Sequence, residues 1–334
     1  MMDVIVSYIS SSIPLGVPLL YGSTGEILTE KSGHLNLGIP GIMYVGAISS
    51  VIGSFLYEAS CGPENINAVL AVLIPVLSCV LGSALMGLLY SFLTVTLRVN
   101  QNVTGLALTT FGIGLGNFFG GSLIKLVESD MPSVALSKTS SYFHLDIPGW
   151  ENMGWFGKIF LSYDFLTYLA IAIALVASFV LSRTRVGLNL RAVGENPATA
   201  DAAGINVTLY KYLSTGIGSV IAGLGGLWYV MVYADGVWSN DAFGDRGWMA
   251  IALVIFALWK PWLAIIGSFV FGLLCNLNNY MPQFGMPLAT DKQALFDMLP
   301  YIATIVVLVI TSMRKKREYQ APAALGLAYF REER

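Results

Sequence analysis

Residues 68–97 read AVLAVLIPVLSCVLGSALMGLLYSFLTVTL, without one charged side chain. A helix needs about 20 mainly apolar residues to cross a bilayer, so this run is long enough to do so once. Comparable runs lie on either side: about Val4 to Tyr21 and Leu37 to Phe55 before it, Val103 to Ile124 and Phe165 to Leu181 after it. Four more follow, about Tyr212 to Tyr233, Trp248 to Trp259, Trp262 to Leu277 and Phe296 to Met313. The composition agrees. Of 334 residues 55% are hydrophobic and 11% charged, against about 25% charged in an ordinary soluble domain. The expected fold is all-α: a polytopic transmembrane bundle of about nine spans (8–10) that forms one domain over residues 1–313. A short basic tail, 314–334, comes after it.

Other classes find little support. The net charge of -2 gives no field that would attract nucleic acid. Cys61, Cys79 and Cys275 lack paired or metal-ligand spacing, and His34 and His144 lie far apart, so neither a disulfide framework nor a metal or cofactor site is expected. The N-terminus has no basic region and no small-residue cleavage signature, so its apolar run is expected to stay as a span.

Basic loops stay in the cytoplasm. The loop 183–211, with Arg183, Arg185, Arg191 and Lys211, and the cluster Arg314 to Arg317 are separated by four spans, an even number, so both fit inside together with Lys260. Counting back puts Glu58, Glu64 and the 125–163 loop outside, the polar segment Gly22 to His34 inside as a hinge, and the N-terminus outside. Spans broken by Pro or Gly would alternatively be half-helices that lower the count.

Within the 183–211 loop, Asn196 stands at an N-cap, Pro197 at the first helical position and Gly204 just past an end, which predicts a two-turn helix too polar for lipid. It either joins two spans or docks on a partner, with Arg185 and Arg191 beside it. Asn36, Gly38 and Gly41 lie in an irregular Gly- and Pro-rich segment, a form of backbone tolerated at membrane depth only against protein or a watery cavity. Asn36 with Asn100, Gln101 and Asn102 would offer hydrogen bonds to a neutral polar solute, or would simply satisfy helix ends. Tyr229, Tyr233 and Trp238 would stack on a base or sugar, although an interfacial belt accounts for them as well. Gly112, Gly116 and Gly120 fall on one helix face, which points to close helix packing. Asp245 and Arg246 are placed to pair.

Three stretches carry a family resemblance: Gly25 to Met43 around Asn36-Leu37-Gly38; Gly187 to Ile205 around Leu190-Arg191-Ala192-Val193-Gly194-Glu195-Asn196-Pro197; and Gly244 to Ala252 with Trp259-Lys260-Pro261. In this order they resemble the permease subunits of ABC importers for branched-chain amino acids, simple sugars and nucleosides, and the first is most similar to nucleoside-system permeases. The resemblance implies a coupling helix that uses Arg191, Gly194, Glu195, Asn196, Pro197, Asp201 and Gly204. It also implies a separate ABC ATPase subunit, a second permease of the same or a homologous chain, an external substrate-binding lipoprotein, and the cell membrane as the site of action. Many relatives carry a glutamate where this chain has Pro40, so no carboxylate role transfers there, and the second span is expected to begin with a kink. No phosphate-binding loop is present in the sequence, in keeping with a non-catalytic subunit. The alternative is an ion-coupled secondary transporter of a small polar solute, against which stand the uncharged spans at 68–97, 103–124 and 165–181.

Overall fold

The structure, a computed structural model, describes residues 2–62, 65–126, 133–145, 147–285, 293–314 and 320–330; Glu64 and the cluster Lys315 to Arg317 lie outside them. Its long helices are α1 (Met2–Glu30), α2 (Ile39–Cys61), α3 (Ala68–Ser91, continued by a π turn Phe92–Thr96) and α4 (Gln101–Leu126). After β1 (Ser133–Ala135), α5 (Ser137–Ser141) and α6 (Gly154–Phe160) come α7 (Phe165–Arg183), α8 (Arg185–Glu195), α9 (Pro197–Ala202) and α10 (Val207–Trp228, continued by a π turn Tyr229–Tyr233). The chain then runs through β2 (Val237–Ser239), α11 (Arg246–Phe256), α12 (Pro261–Tyr280), α13 (Gln293–Asp297) and α14 (Leu299–Arg314).

Among the described residues, 7 helices are long and apolar enough to cross a membrane. Two further predicted spans are present as shorter apolar helices, α11 with 11 residues and α14 with 16, so nine is an approximate count. α2, α10 and the second half of α1 are well enclosed, and α3 shows much of its apolar surface outward, with Leu81 and Leu85 exposed.

Two expectations are corrected. Residues 22–30 are not a hinge but the last turns of a continuous α1 that also contains Pro14 and Pro18. A β-carbon on Gly25 would overlap the Gly218 carbonyl of α10, so the glycine that looked like a breaker is what lets two helix backbones meet. Pro40 does not kink α2: it occupies the first turn, where its missing N–H costs nothing. The stripe Gly112, Gly116 and Gly120 packs on Gly41, the Tyr44 ring and the Trp238 indole respectively.

The connections gather at two ends. At one, β1 and β2 pair antiparallel with Val134 opposite Trp238, the Glu58 carboxylate accepts from the Thr139 amide across 2.9 Å, and Lys158 Nζ reaches Ser7 Oγ at 3.0 Å. At the other lie the connector 31–38, the start of α4, the α8–α9 pair, Trp259-Lys260 and residues 320–330. Trp259 donates its indole N–H to Glu30 there.

Candidate functional site at the connector and the helix pair

Residues 31–38 are irregular yet buried, and a non-helical backbone inside a bundle must find its hydrogen bonds in neighbouring side chains. It does so from four helices. Leu35 N donates to Gln101 Oε1 at 2.8 Å, and the Leu35 carbonyl accepts from the Tyr90 hydroxyl. Asn36 N donates to Glu26 Oε1 at 2.9 Å, and Gly38 N to Asn36 Oδ1 at 2.9 Å. His34 lies between Thr215 (2.8 Å from Nδ1) and Thr94 (2.7 Å from Nε2). Thr94 already gives its proton to the Tyr90 carbonyl. His34 Nε2 must therefore carry the hydrogen, and Nδ1 accepts from Thr215. Burial pushes the His34 imidazole down to about 3, with the Lys211 ammonium adding to the effect, so the ring is neutral at physiological pH.

Among the described residues, five buried side-chain atoms near this connector and along α1, α3 and α10 have no hydrogen-bond partner: Thr24 Oγ1, Glu26 Oε2, Asn36 Nδ2, Ser91 Oγ and Ser219 Oγ. Glu26 and Glu30 belong to the segment expected as a polar hinge on the inner side. They are instead 0% and 4% exposed within α1, so the absence of buried carboxylates holds for α3, α4 and α7 but not for α1.

The residues proposed for the path separate into groups. Asn36 and Gln101 meet at the connector, with Gly38 and Gly41 packed on Leu108 and Thr109 of α4. Asn100 caps α4 through Val103 N (3.1 Å) and is exposed with Asn102. Tyr229 and Tyr233 lie towards the opposite end, stacked at 5.4 Å under the Arg246 guanidinium. Arg246 donates to the Phe243 carbonyl at 2.8 Å and is not paired with Asp245. Trp238 is buried against Tyr44.

The loop after α7 forms two helices where one was expected. Thr184 caps α8 through Gly187 N at 3.1 Å. Asn196 caps α9 through Thr199 N at 3.0 Å, Pro197 opens it, and Gly204 leaves it at φ +83°. Val193, Ala200 and Val207 form a small core beneath the pair. Where α8 ends, Gly194 abuts the connector: a β-carbon there would overlap the Lys31 carbonyl and lie 3.0 Å from Gly33 N. Lys31, Arg191, Glu195 and Lys260 line one hollow of about 420 Å³. Burial lowers the Lys31 ammonium below the usual lysine range, while the Glu195 carboxylate opposes the shift.

Residues 320–330, expected as part of a basic tail, are instead an apolar strap across this end. Ala324 N donates to the Gly194 carbonyl at 3.0 Å and Gly326 N to the Gly33 carbonyl at 3.3 Å. Tyr329 donates to Asp201 Oδ2 at 2.7 Å, and Phe330 lies 4.8 Å under Arg98. The strap thus touches the helix pair, the connector and the end of α3 at once. Its apolar residues, Ala324 to Leu327, were the only signal in the sequence.

Residues 8–308 match the family described as branched-chain amino acid transport system / permease component. This chain belongs to that permease family. Three relatives share nearly its full length. The Haloferax volcanii permease TsgC13, to which glucose is assigned provisionally, is 31% identical over 97% of both chains. The nucleoside ABC transporter permease protein NupC of Lactococcus lactis is 31% identical over 97% of both. The guanosine ABC transporter permease protein NupQ of Bacillus subtilis is 28% identical over 98% of this chain and 97% of its own. The permease described here is accordingly a multi-pass membrane protein, and the helix pair 185–202 with its connector lies inside the matched region.

Proposed function

We propose that this permease is the channel-forming subunit of a binding-protein-dependent ABC importer for nucleosides, and that α9 is the helix through which a separate ATPase moves it. The observation that carries the reading is the main-chain contact of Gly194 with Lys31 and Gly33. A helix capped at Asn196 and closed at Gly204 stands free on one side and, through α8, presses on the connector between two spans on the other. Arg183, Arg185, Arg191 and Lys211 support a cytoplasmic location for this end by the positive-inside rule, where an ATPase would find Glu195, Asn196, Pro197 and Asp201.

The connector is the element that such a push would displace. Asn36, Gln101 and the unpaired groups of Glu26 and Thr24 are the polar atoms that an opened connector would offer a neutral solute, and Tyr229 with Tyr233 offers stacking faces further along. A second permease and an external lipoprotein complete the assembly, as the family implies. Two relatives named for nucleosides or guanosine favour that cargo over glucose. Uptake of labelled guanosine, ribose, glucose and leucine in cells with and without the gene decides the matter: guanosine uptake is expected to fall on deletion. Unchanged guanosine uptake with loss of another cargo would remove the nucleoside assignment.

A further inference from the structure

Beside α9 the bundle encloses a second polar hollow, of about 380 Å³. Its lining includes Thr94 and Arg98 at the end of α3, Asp201 at the end of α9, Thr208 and Lys211 at the start of α10, and Tyr329 of the strap. Lys211 is the residue that needs an explanation. It is 3% exposed, and among the described residues its ammonium makes no hydrogen bond or ion pair; the Ser214 hydroxyl bonds to its carbonyl, not to its side chain.

A buried ammonium without a counter-charge is strongly disfavoured, and its surroundings make matters worse. Arg98 brings a second cation to the same hollow, and the nearby His34 is neutral. The acidic group of the lining, Asp201, already accepts from Tyr329 at 2.7 Å. The hollow also lies at the N-terminus of α10, a helix of 22 residues. Asn206 takes the Leu209 amide at 3.0 Å, which leaves the amides of Val207 and Thr208 without a partner among the described residues. Helix starts concentrate partial positive charge and unfilled donors. Two cations, free amides and the Thr208 hydroxyl therefore converge on one space.

We propose that this hollow binds a phosphate-bearing anion, held by Lys211 and Arg98 over the first turn of α10. The site draws on α3, α9, α10 and the strap, so an occupant would tie α9 to the spans whether or not α9 is the coupling helix. Phosphate of this kind has two sources. It is free in the cytoplasm, and it is the headgroup of anionic lipid, whose chains would find Phe92, Leu209 and Leu213 exposed near the same end.

The full-length protein in neutral detergent is titrated with sodium phosphate, against sodium chloride at equal ionic strength, while its thermal melting is followed. In parallel, native mass spectrometry measures lipid retained from nanodiscs of equal phosphatidylglycerol and phosphatidylcholine. The expected result is a saturable, phosphate-specific rise in Tm, preferential retention of phosphatidylglycerol, or both, weakened about tenfold in Arg98→Asn and Lys211→Met. A phosphate effect alone identifies the free anion, and selective lipid retention alone identifies the headgroup. Arg98 is exposed and at φ +57°, where Asn is tolerated, so this variant tests the site even if Lys211→Met fails to fold. Equal response to both salts with equal retention of both lipids would overturn the proposal, as would effects unchanged in the folded variants.

Discussion

The α-carbon of Gly194 lies so close to the Lys31 carbonyl oxygen that no β-carbon fits between them. Main chain meets main chain, and the contact is held further by Ala324 N on the Gly194 carbonyl and Gly326 N on the Gly33 carbonyl. Close-packed interiors transmit displacement instead of absorbing it. A movement of α8 and α9 must therefore be felt at residues 31–38, and through Asn36 and His34 at α1, α3 and α10.

Gly194→Val is expected to wedge α8 away from the connector, at a cost of about 1–3 kcal/mol. Uptake should fall severely while the amount of protein in the membrane, measured by immunoblot, stays near normal. Wild-type uptake in this variant would mean that the contact transmits nothing.

The punctuation of α9 gives a second test. Pro197→Gly combined with Gly204→Leu loosens the helix start and puts a branched side chain at φ +83°, a conformation that such residues resist. Glu195→Arg reverses the charge facing Lys31 in the same hollow. Both are expected to separate ATP hydrolysis from uptake in the reconstituted transporter, with insertion intact. Normal coupling in both would exclude α9 as the contact for the ATPase.

Asp164 clamps α7 to α10. Its carboxylate accepts from Thr167 N at 3.0 Å, from Thr167 Oγ1 at 2.8 Å and from the buried Trp228 indole at 3.2 Å. Asp164→Ala should cost about 1–2 kcal/mol through the lost cap and the weakened indole bond. The melting temperature in detergent should fall, and Asp164→Asn, which keeps one acceptor, should fall less.

His34 makes stability depend on pH with a definite sign. Its folded value of about 3 lies below the unfolded value of about 6.5, so the unfolded chain binds a proton that the folded chain refuses. The contribution is present above about pH 6.5 and is lost as pH falls from there towards 3. Melting between pH 7.5 and 5 should show a decline that His34→Gln flattens; equal slopes for both proteins would contradict the buried neutral ring.

How much of this was legible in the sequence depended on the range of the interaction. The cap at Asn196, the first-turn proline and the closing Gly204 are local, and the chain displays them in order. The uncharged run at 68–97 likewise announces itself. Residues 22–30 misled because Gly22, Ser23, Thr24, Gly25 and Glu26 read as a break by the rules of water, whereas inside a bundle Gly25 admits the backbone of α10, Gly22 admits the side chains of Met43 and Ala250, and the polar groups face protein. The contact of Gly194 with Lys31, the turn of Gln101 inward to Leu35 and the strap through Ala324 join positions far apart in the chain. No spacing pattern records them, and only the folded bundle brings them together.

The proposed coupling requires α9 to project into the cytoplasm, where another protein can reach it. With Cys61, Cys79 and Cys275 replaced by Ser and Thr199→Cys placed on the exposed side of α9, labelling by a membrane-impermeant maleimide is compared in intact and permeabilised cells. Labelling is expected only after permeabilisation, with protection when the ATPase is bound. Labelling of intact cells would place α9 outside and contradict it.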